Sequence, residues 1–193
     1  PLEGALRGGA LVVHPGPGVA FLSGTLDGAD RAAAAVASAR AALGALAGGA
    51  LRALNVDTSG AALSLARLAY ELNGLEVREE DFVCGDAFRV TRELAAGGER
   101  FGVVVVDPPA FVKRRSELEG GLRGYRDINL QALRLTAPGA LLLTCSCSAL
   151  VSEQQFGLAL LAAAVDAGRE LRVLERRGAG PDHPVSVSCP EAA

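Results

Sequence analysis

The sequence contains no Met and no Trp, only two His and four Cys, and aromatic residues make up just 4% of its 193 positions. With Pro1 at its start and no Met anywhere, the chain is expected to be a piece of a longer protein. No run of about 18 consecutive apolar residues occurs, which excludes a membrane-spanning helix at the level of sequence. A charged-then-apolar leader is also missing, and the cytoplasm is the expected compartment. The cysteines Cys84, Cys145, Cys147 and Cys189 are too sparse for a disulfide scaffold. No pair of them has C-x-x-C spacing, so no metal site is expected. Nineteen basic against 22 acidic residues leave a net charge of -3. Any contact with nucleic acid must therefore rest on a local patch rather than on a global field. Half of the residues are hydrophobic and the mean hydropathy is +0.28, which excludes a disordered chain and fits one folded domain.

Two textures divide the chain. Residues 1–44 form an atypical Ala- and Gly-rich segment, with Asp30 as a candidate cap for a helix running to about Ala47 and stopped by Gly48-Gly49. Beyond it, short apolar runs alternate with helical patterns. Strands are expected at Leu51–Val56, Asp81–Cys84, Phe101–Val106, Ala140–Cys145, Leu171–Leu174 and Val185–Val187. Helices are expected from about Asp57 to Asn73-Gly74, from Gly85-Asp86 to Gly97-Gly98, from about Gly124 to Leu135, and from Ser152 to Gly168. Ser152 with Gln155 has the pattern of a capping box. This alternation predicts an α/β fold, a mostly parallel sheet with helices on both faces. In such a sheet the strand C-termini share one edge, and ligands bind outside that edge.

Asp57, Asp86, Asp107 and Cys147 fall at or just beyond the ends of successive strands. Asp57 is placed to accept the hydroxyls of a ribose, or it simply starts the next helix. Asp86 could accept from an exocyclic adenine amine, or be the Asp of a Gly-Asp turn. After Asp107, Pro108-Pro109 stiffens the chain where a planar base would be held against a reactive group; a generic strand-ending turn is the alternative. At Thr144–Ser148, period two would put Cys145 and Cys147 on one face. Cys145 reads as core, and Cys147, nearer the strand end, as a nucleophile. Between Val112 and Arg126 lie five basic residues, Lys113, Arg114, Arg115, Arg123 and Arg126, against Glu117 and Glu119. The segment is either a solvated loop or a grip on a phosphate backbone, with Phe111 beside it and Tyr125 as a stacking platform for a base.

With Asp107–Phe111, Thr144–Ser148 and Asp182-His183-Pro184 in view, the chain resembles the bacterial large-subunit ribosomal RNA methyltransferases that make 5-methylcytosine in 23S rRNA. These are class I S-adenosylmethionine (SAM) enzymes with a Rossmann-like fold. The resemblance runs from about Ala45 to Ala193 and includes Leu54–Ser59, Glu71–Gly74, Gly85–Phe88 and Tyr125–Asn129. It implies a methyltransferase domain over residues 45–193, with SAM as cofactor and ribosomal RNA as partner, and leaves a homodimer open. Carried over by residue, it implies that Asp57 and Thr58 bind the SAM ribose and that Asp86 and Ala87 lie near its adenine. Asp107 and Pro108 would face the methyl group and the base, with Cys147 as nucleophile on cytosine C6. An inactivated RNA-binding remnant of such an enzyme is the alternative.

The resemblance also has gaps. The Gly-rich turn that wraps SAM in this family is not recognisable in Arg31–Leu46, which has only Gly44. The fold is thus expected to be incomplete at its N-terminal end. The nearest substitute turn is Gly16-Pro17-Gly18, after a candidate strand at Ala10–Val13. Nothing here resembles the N-terminal PUA domain of the family.

Overall fold

The computed structural model describes the backbone of residues 19–23 and both backbone and side chains of residues 42–177. Strand β1 is Val19–Ser23, followed among the described residues by a helix through residues 42–47 (α1). Then come β2 (Ala53–Asp57), α2 (Gly60–Leu72), β3 (Phe82–Cys84), α3 (Ala87–Ala96) and β4 (Phe101–Asp107). The last elements among the described residues are α4 (Leu118–Leu135), β5 (Thr136–Thr144) and α5 (Glu153–Ala167). All strand pairs are parallel, in the order β3-β2-β1-β4-β5. Strand order reverses between β1 and β4, the point at which a doubly wound sheet opens a crevice.

Period-two burial explains the two layers. Val103 and Val105 of β4 pack with Ala42 and Ala45 of α1 and Leu63 and Ala66 of α2. Val104 and Val106 point the other way, into Val90 of α3 and Ile128 and Ala132 of α4. A strand covered on both faces must be apolar at every position, which is why Phe101–Val106 reads as an unbroken hydrophobic run. A smaller cluster of Leu133, Ala163 and Ala164 joins α4 to α5. Ser152 and Gln155 form the expected capping box, and Gly168 ends α5 at φ 62°, a left-handed conformation that glycine adopts without strain.

Several expectations are corrected. Among the described residues the first strand is Val19–Ser23; Gly16-Pro17-Gly18 precedes it in the sequence and lies outside the described residues. The sheet takes its central strand, β1, from within the Ala/Gly-rich segment. Ala10–Val13, Asp30 and Val185–Val187 lie outside the described residues. Helix α4 starts at Leu118 rather than near Gly124, because the glycines that look like breakers are contact points for the preceding loop. Strand β5 begins at Thr136 with a bulge: Phe101 pairs with Thr136, while Val103 pairs with Leu141. Pro138 and Gly139, at φ 74°, sit in that bulge, and Arg169 donates to the carbonyls of Leu133, Thr136 and Ala137 around it. Leu171–Leu174 forms no strand; its apolar side chains are exposed and pair with no strand among the described residues. Among the described residues, no helix is long and apolar enough to cross a membrane.

Candidate active site

The parallel sheet brings the expected residues to one edge. Asp57 and Asp107 are the last residues of β2 and β4, Asp86 lies two positions past β3, and Cys147 three past β5. In space they follow the strand order Asp86, Asp57, Asp107, Cys147, with β1 between the second and third. At about 4.8 Å per strand, Asp57 and Asp107 are separated by roughly 10 Å across the switch point.

On one side of that point the chain is shaped by carboxylates. The buried Asp57 accepts the Ser59 N–H at 2.7 Å, and Ser59 caps α2 by accepting the Ala62 N–H at 3.2 Å. The Asp57 carbonyl accepts from Gly85 N at 2.9 Å, which ties the next turn to it. A Cβ on Gly85 would stand 2.8 Å from the Arg89 guanidinium and 3.1 Å from Val90, so a larger residue there would displace the Arg89 side chain and press on Val90. Asp86 caps α3 through the Arg89 N–H at 2.9 Å, with Ala87 as the first helical residue. The Thr58 carbonyl accepts from the Cys84 thiol at 3.6 Å. Carboxylates ending β2 and following β3 match the chemistry of a ligand that presents ribose hydroxyls and an adenine amine.

On the other side, Pro108 and Pro109 end β4 because neither has an N–H to extend the ladder. Strand β5 ends at Thr144, and Cys145 N makes one more bond, to the Val106 carbonyl at 2.9 Å. Residues 145–148 have no regular structure, so the period-two argument does not carry as far as Cys147. The exposed Cys147 thiol donates to the Pro108 carbonyl at 3.6 Å, and this contact joins the two loops. Burial and the nearby Asp107 charge push the Cys147 thiol above its ordinary pKa. The same causes, burial first, raise Cys145 to about 11. Asp107 itself is raised by burial. The resting site is therefore a thiol beside a carboxylate that is a stronger base than a surface aspartate.

The RNA-binding candidates divide. Arg114 pairs with Glu117 at 3.7 Å, Arg126 with Asp166 at 2.6 Å, and Arg123 with Glu119. Lys113 and Arg115, both exposed, make no ion pair with the described residues, so the free positive charge of the segment narrows to these two. The expectation that Tyr125 stacks on a base is corrected by its burial: the ring is 0% exposed and has no face free. Phe111 packs against Tyr125 at 4.8 Å between ring centroids and against Phe88 at 6.0 Å.

Sequence reasoning missed Ser146, Ser148 and the Val112 N–H as parts of the site. Ser148 Oγ accepts from Val112 N at 3.1 Å and meets the Tyr125 hydroxyl at 2.8 Å, while Ser146 Oγ donates to that hydroxyl at 2.9 Å. The available signal was the pair of serines flanking Cys147 in a run otherwise read for its thiols. Among the described residues, no cluster of three His, Cys, Asp or Glu side chains is placed to hold a metal ion.

Comparison with known proteins adds an independent line. The profile of the S-adenosylmethionine-dependent methyltransferase family matches residues 30–190. Curated relatives described as ribosomal RNA large subunit methyltransferase I include proteins of Aeromonas salmonicida and Klebsiella pneumoniae, each 45% identical. The first aligns over 147 residues, 76% of this chain and 37% of the relative. The second aligns over 150 residues, 78% and 38% respectively. The chain thus spans little more than a third of the length of the curated relatives it matches. A solved methyltransferase complexed with SAH shares the fold at a TM-score of 0.69 and 19% identity, over 91% of this chain and 42% of that one.

Proposed function

Because the chain belongs to the S-adenosylmethionine-dependent methyltransferase family, we propose that it methylates C5 of a cytosine in large-subunit ribosomal RNA, in the cytoplasm, with Cys147 as nucleophile. The observation that carries this reading is the contact of the Cys147 thiol with the Pro108 carbonyl, next to Asp107 at the end of β4. The names of the curated relatives support ribosomal RNA as the substrate class.

Asp57 with Thr58 would hold the ribose of SAM, and Asp86 with Ala87 its adenine. Bound there, SAM supplies a methyl group made electrophilic by a positively charged sulfur. Cytosine C5 is too weak a nucleophile to take that methyl unaided. The Cys147 thiolate adds to C6, which breaks the C5–C6 double bond and leaves C5 electron-rich. The thiol must first lose its proton, which burial and Asp107 make it hold more tightly than an ordinary cysteine does. Asp107 is the acceptor at hand, and burial makes its carboxylate a stronger base than an exposed aspartate. As C5 takes the methyl, the bonding pair stays on the sulfur that gave it up; the C5 proton then passes to solvent, the C5–C6 double bond re-forms, and the expelled Cys147 thiolate takes back its proton from Asp107. The Pro108-Pro109 backbone gives the base a rigid wall, and Lys113 and Arg115 draw in the phosphates. The target cytosine must be unpaired or flipped out to reach this edge.

A 23S rRNA transcript carrying 5-fluorocytosine tests the proposal, since fluorine at C5 blocks the final elimination. Incubated with the chain and SAM, it is expected to leave a covalent adduct on a denaturing gel. Cys147→Ala abolishes the adduct and Cys145→Ala retains it. An adduct that survives Cys147→Ala overturns the choice of thiol. Absence of SAM binding at millimolar ligand by calorimetry overturns the enzyme reading.

A further inference from the structure

Tyr125 stands on α4 with its ring wedged against Phe111 and, edge-on at 5.3 Å, against Phe156 of α5. Its backbone carbonyl accepts from the Asn129 side-chain amide at 2.8 Å. The ring is thus held between the loop after β4 and α5 before its hydroxyl does anything. That hydroxyl is fully buried in an aromatic cluster, where a phenylalanine would fill the same space with no polar group to desolvate. Packing alone therefore gives no reason for the oxygen.

The oxygen meets the two residues on either side of Cys147. Ser146 donates to it at 2.9 Å, Ser148 Oγ lies 2.8 Å away, and Ser148 N donates to Ser146 Oγ at 3.4 Å. Ser148 Oγ also takes the Val112 N–H at 3.1 Å, four positions after Pro108. The Ser148 hydroxyl thereby ties the loop after β4 to the loop after β5 while the Tyr125 hydroxyl holds it from α4, and these loops meet where the Cys147 thiol touches the Pro108 carbonyl.

We propose that Tyr125 is a positioning residue for Cys147: its hydroxyl fixes the flanking serines and so holds the thiol against the Pro108 carbonyl. The functional half of this inference rests on Cys147 being the nucleophile; the geometric half does not. The Tyr125 hydroxyl never touches the reacting atoms and acts through Ser146 and Ser148. Without it the thiol drifts out of its part-buried place against the Pro108 carbonyl and away from Asp107, losing both of the influences that raise its pKa.

The test needs neither RNA nor SAM. The intact chain and its Tyr125→Phe and Ser148→Ala variants are treated with iodoacetamide across pH 6–10, and modification at each cysteine is resolved by tandem mass spectrometry. In both variants the Cys147 profile is expected to move to lower pH, with modification at pH 8 rising roughly threefold, as a half-unit fall in thiol pKa gives. Cys84, beyond Asp57 on the far side of the sheet, keeps its profile and serves as the internal control. Ser148→Thr, which retains the hydroxyl, is expected to restore the wild-type profile at Cys147. Folding of each variant is followed by circular dichroism, and Ser148→Ala alone decides the matter if Tyr125→Phe does not fold. Superimposable Cys147 profiles in folded variants and wild type overturn the proposal. A profile that moves while no 5-fluorocytosine adduct forms on wild type leaves this geometry standing and removes only the methyltransferase reading. Where the adduct does form, Tyr125→Phe is expected to slow its formation at saturating SAM while the SAM concentration for half-maximal rate stays unchanged.

Discussion

Gly121→Ala sets two physical effects against each other within one turn of α4. In an open helix position, replacing Gly by Ala stabilises by about 0.5–1 kcal/mol, because Ala has less backbone freedom to lose. Gly120 is such a position, where an added Cβ would come no closer than 3.9 Å to the Arg123 guanidinium. One residue on, a Cβ at Gly121 would stand 2.2 Å from Val112 Cγ2 and 3.0 Å from the Phe111 carbonyl oxygen. A contact of that kind with backbone cannot relax by a side-chain rotation alone, and overpacking of this sort costs about 1–3 kcal/mol. Pushing residues 111–112 outward also stretches the Val112–Ser148 hydrogen bond, worth about 0.5–1.5 kcal/mol. Set against the helix gain, Gly121→Ala is expected to lose about 1–3 kcal/mol, and Gly120→Ala to gain about 0.5–1. Urea unfolding of the two variants beside wild type measures both, with equal m-values as the check that the unfolded state has not changed. If Gly121→Ala is as stable as Gly120→Ala, the loop does not lean on the helix as described and the reasoning fails.

Two further outcomes concern charge. Burial raises the Asp107 pKa, so the fold disfavours its ionised form; the stability associated with this group is fully present below its ordinary value of 3.8 and lost as pH rises through the folded value. Asp107→Asn is therefore expected to be more stable than wild type at pH 7 and equal to it near pH 3, by thermal unfolding. An equal advantage at both pH values would show that something other than ionisation is responsible. Replacing Lys113 and Arg115 together by Gln is expected to flatten the dependence of log affinity on log salt for a 23S rRNA fragment, by roughly 0.7 per lost phosphate contact. Arg123→Gln, whose charge is already answered by Glu119, should leave that slope unchanged. An equal effect from Arg123 would refute the division of the basic segment.

Legibility followed the physics of each region. Phe101–Val106 and the Ser152–Gln155 cap were readable because burial on both faces and capping each leave a local mark. The edge bearing Asp57, Asp86, Asp107 and Cys147 was readable because parallel strands put every C-terminus on one side. Tyr125 was misread because its value depends on partners 21 and 23 positions away, which a local view of a basic segment does not contain. The start of α4 was misread for a related reason. Gly121 and Gly124 lower helix propensity locally, and only the approach of Phe111 and Val112 explains their presence. Strand β1 left the weakest signal, five residues whose pairing partners all lie more than thirty positions away.

That central strand sets an order of events during synthesis. Val19 pairs with Ala53 on one side and with Val103 on the other, so its second neighbour leaves the ribosome more than eighty residues after it does. From the arrival of Ala53 to that of Val103, at 5–20 residues per second, the nascent sheet spends roughly 2–10 s with one flank of β1 uncovered. An open strand flank of that kind is a template for mispairing with another chain. The same sheet that gathers its functional residues at one edge therefore matures from the middle outward, and its most vulnerable interval closes only when β4 arrives.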